Sequence, residues 1–143
     1  MNGFGGRKLH VGFTGTKRGM TREQKHRLQK FLTVKAPHEF HHGDCVGADA
    51  EAHHIAFVYG ADIVVHPPTN TSKMANCKNA TRLPPKPYIE RNHDIVDAVD
   101  VVVAAPGEQD EQLRSGTWAT IRYARKQGKQ VYILFPDGKI EVQ

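Results

Sequence analysis

Hydrophobic and polar positions follow two alternating patterns along the 143 residues of the chain. Short apolar runs, typical of strands, alternate with longer segments whose apolar residues recur every three or four positions, as on one face of a helix. These runs, together with short segments of mixed or alternating polarity at 8–13, 39–42 and 139–142, predict strands at residues 8–13, 39–42, 62–66, 101–105, 130–135 and 139–142. The longer segments predict helices at residues 21–34, 48–59, 88–99 and 116–127.

Strict alternation of strands and helices is typical of a parallel sheet with helices on both faces. We therefore predict an α/β fold, a single doubly wound Rossmann-like domain with a mostly parallel sheet over residues 8–143, after a flexible lead-in at residues 1–7. The run at 101–105 is almost entirely apolar, which indicates a central strand covered on both faces. Thr21 and Ser115 have the side chains and positions of helix N-caps.

One segment, residues 69–87, has no hydrophobic period and contains three prolines. Loops of this length are usually functional or disordered, so we predict a long loop. It also carries a set of basic residues: Lys73, Lys78, Arg82 and Lys86.

Composition limits the classes of protein to which the chain can belong. Hydrophobic residues make up 38% of it, and no apolar run approaches the roughly 20 residues of a membrane span. The start of the chain lacks the apolar stretch of a signal peptide, and the two cysteines, Cys45 and Cys77, cannot form a disulfide scaffold. We therefore expect a cytoplasmic protein without membrane contact. The net charge of +5 favours an anionic partner but does not by itself indicate nucleic-acid binding.

The first predicted strand ends in a segment suited to phosphate. Ligands of doubly wound folds bind outside the carboxyl ends of the strands. Hydroxyls, a glycine and positive charge come together there beside a helix N-terminus, an arrangement that binds anions: Thr14, Gly15, Thr16, Lys17 and Arg18. The spacing matches neither common nucleotide-binding glycine motif, so an ordinary strand-to-helix turn is the alternative.

The loop after the second strand combines two glycines with two acids: Gly43, Asp44, Gly47 and Asp49. The glycines let the backbone approach a ligand, and Asp44 or Asp49 accepts hydrogen bonds, for instance from a ribose. The alternative is that one of these acids only caps the second helix.

Two further helix starts supply candidate anion contacts. Arg91 and Asn92 lie in the first turns of the helix before the central strand, where an exposed guanidinium can hold a phosphate by two hydrogen bonds. A solvated helix face is the alternative. The helix across the switch point begins with a second set of amides, hydroxyls and positive charge: Arg114, Ser115, Gly116 and Thr117.

Nine histidines raise the question of a metal site. His41 and His42 are adjacent in a strand and therefore point to opposite faces, and no pair has the spacing of a zinc motif. We predict no metal and no bound cofactor. For His53 we expect a packed, hydrogen-bonded side chain.

Four segments of the chain read VGFTGT at 11–16, GDCVGADAEAH at 43–53, RNHDIV at 91–96 and SGTWATIRYA at 115–124. In this order they resemble the Rossmann-like superfamily that includes the DNA-processing protein DprA, also called Smf, and the cytokinin-activating LOG phosphoribohydrolases (together SLOG). The chain is similar to a small stand-alone DprA-like member. This resemblance implies a Rossmann-like fold and a nucleotide ligand.

The similarity to the LOG enzymes implies that Arg91 is a catalytic residue. The position of the family's catalytic glutamate falls on Thr120, which has no carboxylate. Glu108, Asp110 or Glu111 in the preceding loop are the substitutes at hand, and we take Glu111 as the candidate. Whether the protein is an enzyme is therefore open at this point.

The first hypothesis is that the protein binds a nucleotide or a nucleotide-derived small molecule at the carboxyl ends of its strands. Hydrolysis of a nucleoside-monophosphate N-glycosidic bond is the activity that the resemblance would add. The alternative is DprA-like binding of single-stranded DNA without catalysis, through the basic residues of the 69–87 segment and those at the mouth of the site: Lys17, Arg18, Arg91 and Arg114. Sequestering or sensing a small metabolite without turnover is a third. The sequence leaves self-association into a homo-oligomer open.

Overall fold

The computed structural model describes residues 8–143, so the lead-in predicted at residues 1–7 lies outside the described residues. The strands are β1 (His10–Gly15), β2 (Glu39–His42), β3 (Asp62–Val65), β4 (Thr81–Arg82), β5 (Val101–Ala105), β6 (Gln130–Leu134) and β7 (Ile140–Val142). The helices are α1 (Arg22–Lys35), α2 (Ala48–Val58), α3 (Tyr88–Asp97) and α4 (Gly116–Lys126). Within this part of the chain, no helix has the length and apolarity needed to cross a membrane.

The strands form one sheet in the order β4-β3-β2-β1-β5-β6-β7. Neighbouring strands are parallel throughout, except for the antiparallel pair of β6 and β7. The chain runs outwards from β1 to one edge, returns to β5 on the other side of β1, and then continues to the opposite edge. The α/β fold predicted from the alternating pattern, a doubly wound Rossmann-like domain, is confirmed, and its strand order reverses between β1 and β5.

Helices cover the sheet on both faces. Residues 101, 103 and 105 of β5 lie in a core with α1 and α2, whereas residues 102 and 104 lie in a core with α3 and α4. All five residues of β5 are buried. The apolar run at 101–105 is therefore the central, doubly covered strand that its composition predicts.

The predicted start of α1 is confirmed, and one of its capping residues has a second role. The Thr21 side chain accepts a hydrogen bond from the Gln24 N–H, and the Gln24 side chain accepts one from the Thr21 N–H. The Gln24 amide is fully buried and also donates to the carbonyls of Pro106 at 2.7 Å and Leu134 at 2.8 Å. This single side chain therefore joins α1 to the carboxyl ends of β5 and β6.

The predicted helices and strands agree with the structure to within two residues at each end, and two differences bear on the site. β1 continues to Gly15 instead of ending at residue 13, because Thr14 and Gly15 pair with the last two residues of β5. The segment 69–87, predicted to be a loop throughout, contains a short 3₁₀ turn at Thr71–Lys73 and the two-residue strand β4. β4 extends the sheet beside β3, and a strand so short leaves no hydrophobic period in the sequence.

Replacing Gln24 by Leu should destabilise the fold strongly. The change keeps the size of the side chain but leaves two buried carbonyls and the Thr21 N–H without a hydrogen-bond partner. We therefore expect the free energy of unfolding to fall by about 2–4 kcal/mol. Urea unfolding followed by circular dichroism measures this difference. The control is Gln29→Leu, on the same helix, which should change stability by no more than about 0.5 kcal/mol. Equal stability of the two variants would show that the Gln24 hydrogen bonds do not join the elements.

Candidate functional site

A cleft of about 450 Å³ opens at the carboxyl edge of the sheet. Its walls come from the β1–α1 loop, the β2–α2 loop, α3, and the start of α4 with the loop after β5. The strand order reverses at this place, which is where ligands of doubly wound folds bind. The volume is within the usual range for small-molecule sites.

The end of β1 and the β1–α1 loop line one side of the cleft with residues that the sequence singled out: Thr14, Gly15, Thr16, Lys17 and Arg18. Two backbone hydrogen bonds hold this side in place. The Thr16 N–H donates to the Ala105 carbonyl at 3.0 Å, and the Ala48 N–H donates to the Thr16 carbonyl at 2.9 Å. The position of Thr16 is therefore fixed by β5 and α2 together.

An ion pair links two walls of the cleft. Arg18 Nη2 donates to Glu108 Oε2 at 2.8 Å, and the Arg18 side chain is 69% exposed. The other Glu108 oxygen accepts from the indole N–H of the buried Trp118 at 3.2 Å. The hydrogen bond from Trp118 thus holds Glu108 in place. Arg18 is held only by an ion pair at the surface, where such pairs are weak.

The β2–α2 loop is organised around the buried carboxyl of Asp49. Asp49 Oδ2 accepts from the backbone N–H of Gly43 at 3.1 Å and of Cys45 at 3.2 Å. Burial raises the pKa of Asp49 to about 6, although the Arg91 guanidinium and the two amides oppose that rise. Neither acid of this loop caps α2, whose N-cap is Gly47 without a side-chain hydrogen bond.

Arg91 is buried, which corrects the prediction of an exposed guanidinium. Its Nη1 donates to the carbonyls of Gly43 and His66, and its Nε donates to Asn92 Oδ1 at 2.8 Å. The guanidinium lines the cleft, but among residues 8–143 its Nη2 has only the Cys45 sulfur, at 3.6 Å, as a partner. Most of its hydrogen-bonding capacity therefore serves the fold.

Four residues of α3, this arginine among them, form one wall of the cleft: Tyr88, Arg91, Asn92 and Ile95. Their spacing of three and four residues places them on one helix face. The Tyr88 ring centroid lies 5.1 Å from Lys17 Nζ and 5.3 Å from Arg91 Cζ. Tyr88 was not among the predicted site residues, although its helical spacing from Arg91 is a signal that could have identified it.

The start of α4 presents unpaired backbone donors to the cleft. The Ser115 side chain caps the helix by accepting from the Trp118 N–H at 3.2 Å. The N–H groups of Gly116 and Thr117 have no acceptor within the described part of the chain. A side-chain carbon added at Gly116 would meet no atom within 4 Å. The first turn of α4 is therefore open to a ligand.

Two of the predicted residues in the β2–α2 loop lie outside the cleft lining. Asp44 is fully buried and binds Arg82 Nη2 at 2.7 Å and the Cys77 N–H at 2.9 Å. Burial opposes its charge, but these hydrogen bonds outweigh burial and lower the pKa of Asp44. Asp44 thus anchors the 69–87 segment, and Gly47 supplies the left-handed backbone (φ 85°) before α2.

Two predicted residues of the loop before α4, Glu111 and Arg114, also lie outside the cleft lining. Glu111 pairs with Arg122 at 2.8 Å and with Arg125 at 3.7 Å, and Arg114 is exposed outside the lining. Thr120 is buried and donates to the Gly116 carbonyl at 2.9 Å. The carboxyls that do line the cleft are Asp49 and Glu108.

Comparison with known proteins finds similarity at the level of the fold. No family model matches the sequence, and no curated protein matches it. The molybdenum cofactor binding protein from the phototrophic bacterium Rippkaea orientalis is 21% identical, with a TM-score of 0.70 over 91% of this chain and 78% of that one. The X-ray structure of TM1055, a structural genomics target, is 19% identical, with a TM-score of 0.59 over 85% of this chain and 72% of that one. The chain thus shares a Rossmann-like α/β fold with both.

Proposed function

We propose that the cleft binds a nucleotide or a nucleotide-derived small molecule through its phosphate. The observation that carries this proposal is the first turn of α4, where Gly116 and Thr117 line the cleft and their N–H groups have no acceptor in residues 8–143. Free amides and the helix dipole at such a turn favour an anion. A side-chain carbon at Gly116 would meet no atom within 4 Å, so the protein leaves space beside these amides for a small oxyanion such as phosphate.

The charges around the cleft favour the same ligand. Lys17, Arg18 and Arg91 line it, against the carboxyls of Asp49 and Glu108. Glu108 is already paired with Arg18, and the raised pKa of Asp49 reduces the negative charge of that carboxyl near pH 6. The balance is positive, which attracts a phosphorylated molecule.

A sugar hydroxyl finds an acceptor on Asp49. Both loop amides donate to Oδ2 of this residue, which leaves Oδ1 for a ligand. Asp49 lines the cleft and Asp44 does not, so of the two acids considered for the ribose we retain Asp49. One protein of the same fold is a molybdenum cofactor binding protein, a further case of a small ligand on this scaffold.

Hydrolysis of the ligand would require a carboxylate free to act beside the sugar. Glu111 is held outside the cleft lining by Arg122 and Arg125, and Glu108 is engaged by Arg18 and Trp118. Binding is therefore the function we propose. Release of free base from a bound nucleoside monophosphate would show that the protein also hydrolyses its ligand.

Single-stranded DNA binding gains no support from the 69–87 segment. Arg82 is committed to the buried Asp44, and Lys86 pairs with Asp94 at 2.6 Å. Two of the four basic side chains in this segment therefore already form ion pairs within the protein. The alternative stays a prediction from the resemblance.

The variant Gly116→Val tests the position of the phosphate. The added side chain projects into space that the protein leaves empty, so folding should be unchanged while access to the α4 amides is blocked. We expect affinity for a nucleoside monophosphate to fall by at least about tenfold, or about 1.4 kcal/mol. Isothermal titration calorimetry with the four common nucleoside monophosphates, the matching nucleosides and inorganic phosphate measures this.

The control is Ala119→Val, an exposed position on the same helix, which should bind like the wild type. If Gly116→Val and the wild type bind nucleoside monophosphates with the same affinity, the phosphate does not bind at the start of α4. If the wild-type protein binds none of the nucleoside monophosphates, the proposed function is wrong.

The variant Asp49→Asn tests the raised pKa of the carboxyl that faces the ligand. The folded chain holds this proton more tightly than the unfolded chain, so the contribution of Asp49 to wild-type stability should fall as pH rises from about 4 to about 6. Asparagine keeps an acceptor for the two loop amides but carries no charge. We expect its stability relative to the wild type to increase by up to about 3 kcal/mol between pH 4 and pH 7.

Urea unfolding at both pH values measures this difference, with Asp110→Asn on the exposed loop as the control. The control should show no comparable change between the two pH values. A stability difference between Asp49→Asn and the wild type that is constant with pH would contradict a raised pKa.

A further inference from the structure

A second polar cluster lies on the sheet itself, at the opposite end of the strands from the cleft. His10 begins β1 and pairs in register with Glu39, which begins β2. His41 follows Glu39 by two residues and therefore points to the same face of the sheet. The His10 and Glu39 side chains are 35% and 30% exposed, so solvent reaches them.

The atoms of this cluster are spaced like the ligands of a metal ion. His41 Nε2 lies 2.9 Å from Glu39 Oε1, and His10 Nδ1 lies 3.6 Å from the same oxygen. One ligand atom from each of the three residues lies within 4.8 Å of the other two. Bonds of about 2.0–2.1 Å to a tetrahedral ion place ligand atoms about 3.4 Å apart, so small side-chain rotations suffice.

A neighbouring histidine supports the orientation that His41 would need. His41 Nδ1 lies 2.8 Å from Nε2 of the buried His66. A metal-ligating histidine commonly donates its second ring N–H to an acceptor, which fixes the ring. His66 can accept that hydrogen bond by carrying its own proton on Nδ1, so both imidazoles stay neutral.

A second group of possible metal ligands consists of His42, His53 and Cys77. Its hydrogen bonds fix the tautomers of the two histidines and leave His42 without a free nitrogen for a metal. His42 Nδ1 accepts from the Asp44 N–H at 2.9 Å, so the His42 proton is on Nε2 and is donated to His53 Nδ1 at 2.8 Å. His53 Nε2 in turn donates to the Lys78 carbonyl at 2.7 Å. A metal on His42 Nε2 would replace the only proton of the ring, because Nδ1 still accepts the hydrogen bond from the Asp44 N–H. The ring would then be an imidazolate, which is unfavourable. These hydrogen bonds complete a structural network.

We propose that His10, Glu39 and His41 bind a divalent transition-metal ion of the Zn²⁺ class. Two imidazoles and one carboxylate suit zinc and its neighbours, whereas Mg²⁺ and Ca²⁺ prefer oxygen ligands. The ion joins the adjacent strands β1 and β2 and so stabilises the folded chain. The sequence predicted no metal because the ligands come from two strands and have no common spacing.

Zn²⁺ titration of untagged protein, first stripped of metal with a chelator, tests this site by calorimetry. We expect one ion per chain and a melting temperature that rises by several degrees with Zn²⁺ but not with Mg²⁺. His10→Gln and Glu39→Gln should each weaken Zn²⁺ binding by at least about tenfold. Both side chains are partly exposed, so the variants should fold, which circular dichroism verifies.

The matched controls are His26→Gln on α1 and His54→Gln on α2, exposed histidines outside the cluster, which should bind Zn²⁺ like the wild type. Absence of Zn²⁺ binding by the wild-type chain overturns the proposal. So does Zn²⁺ binding that persists in both His10→Gln and Glu39→Gln, or that is lost in His53→Gln instead. Nucleotide binding is measured separately, so failure of one proposal leaves the other standing.

Discussion

The carboxyl edge of the sheet depends on the buried guanidinium of Arg91. A charge taken out of water is costly unless hydrogen bonds and an opposite charge compensate it. Here the carbonyls of Gly43 and His66 accept from it, and the Asp49 carboxyl attracts it. Gly43 directly follows β2 and His66 directly follows β3, so one side chain of α3 holds the ends of two strands. A side-chain carbon at Gly43 would lie 2.6 Å from Arg91 Nη1, so a larger residue there would displace the guanidinium.

This constraint divides the polar groups of the cleft into those that build it and those left for a ligand. Arg91, Asp44 and Glu111 carry charges that a motif-based interpretation assigns to binding or catalysis, yet all three are engaged by the protein itself. The groups left for a ligand include the first amides of α4 and one oxygen of Asp49. The proposed function therefore rests on backbone donors, which act in a nucleotide site whatever side chains surround them.

The sequence predicted the fold well because the sheet is built from regular periods. β2 and β5 have the predicted bounds, and the Thr21 and Ser115 caps begin their helices as expected. Features set by distant contacts could not be predicted. The strand β4 forms through its pairing with β3 and its ion pair with the carboxyl of Asp44. The burial of Arg91 depends on two carbonyls that are far away in sequence. Tyr88 was missed although it lies three residues before the predicted site residue Arg91, on the same face of α3.

The most direct test of the central claim is to follow the backbone amide resonances of the protein by NMR during titration with a nucleoside monophosphate. Phosphate bound at the start of α4 accepts hydrogen bonds from Gly116 and Thr117, so these two amides should show the largest shifts, followed by those of the β1–α1 loop. Titration with the matching nucleoside should leave the α4 amides nearly unchanged. Largest shifts in the 69–87 segment, or α4 amides that do not respond to the phosphate, would contradict the account.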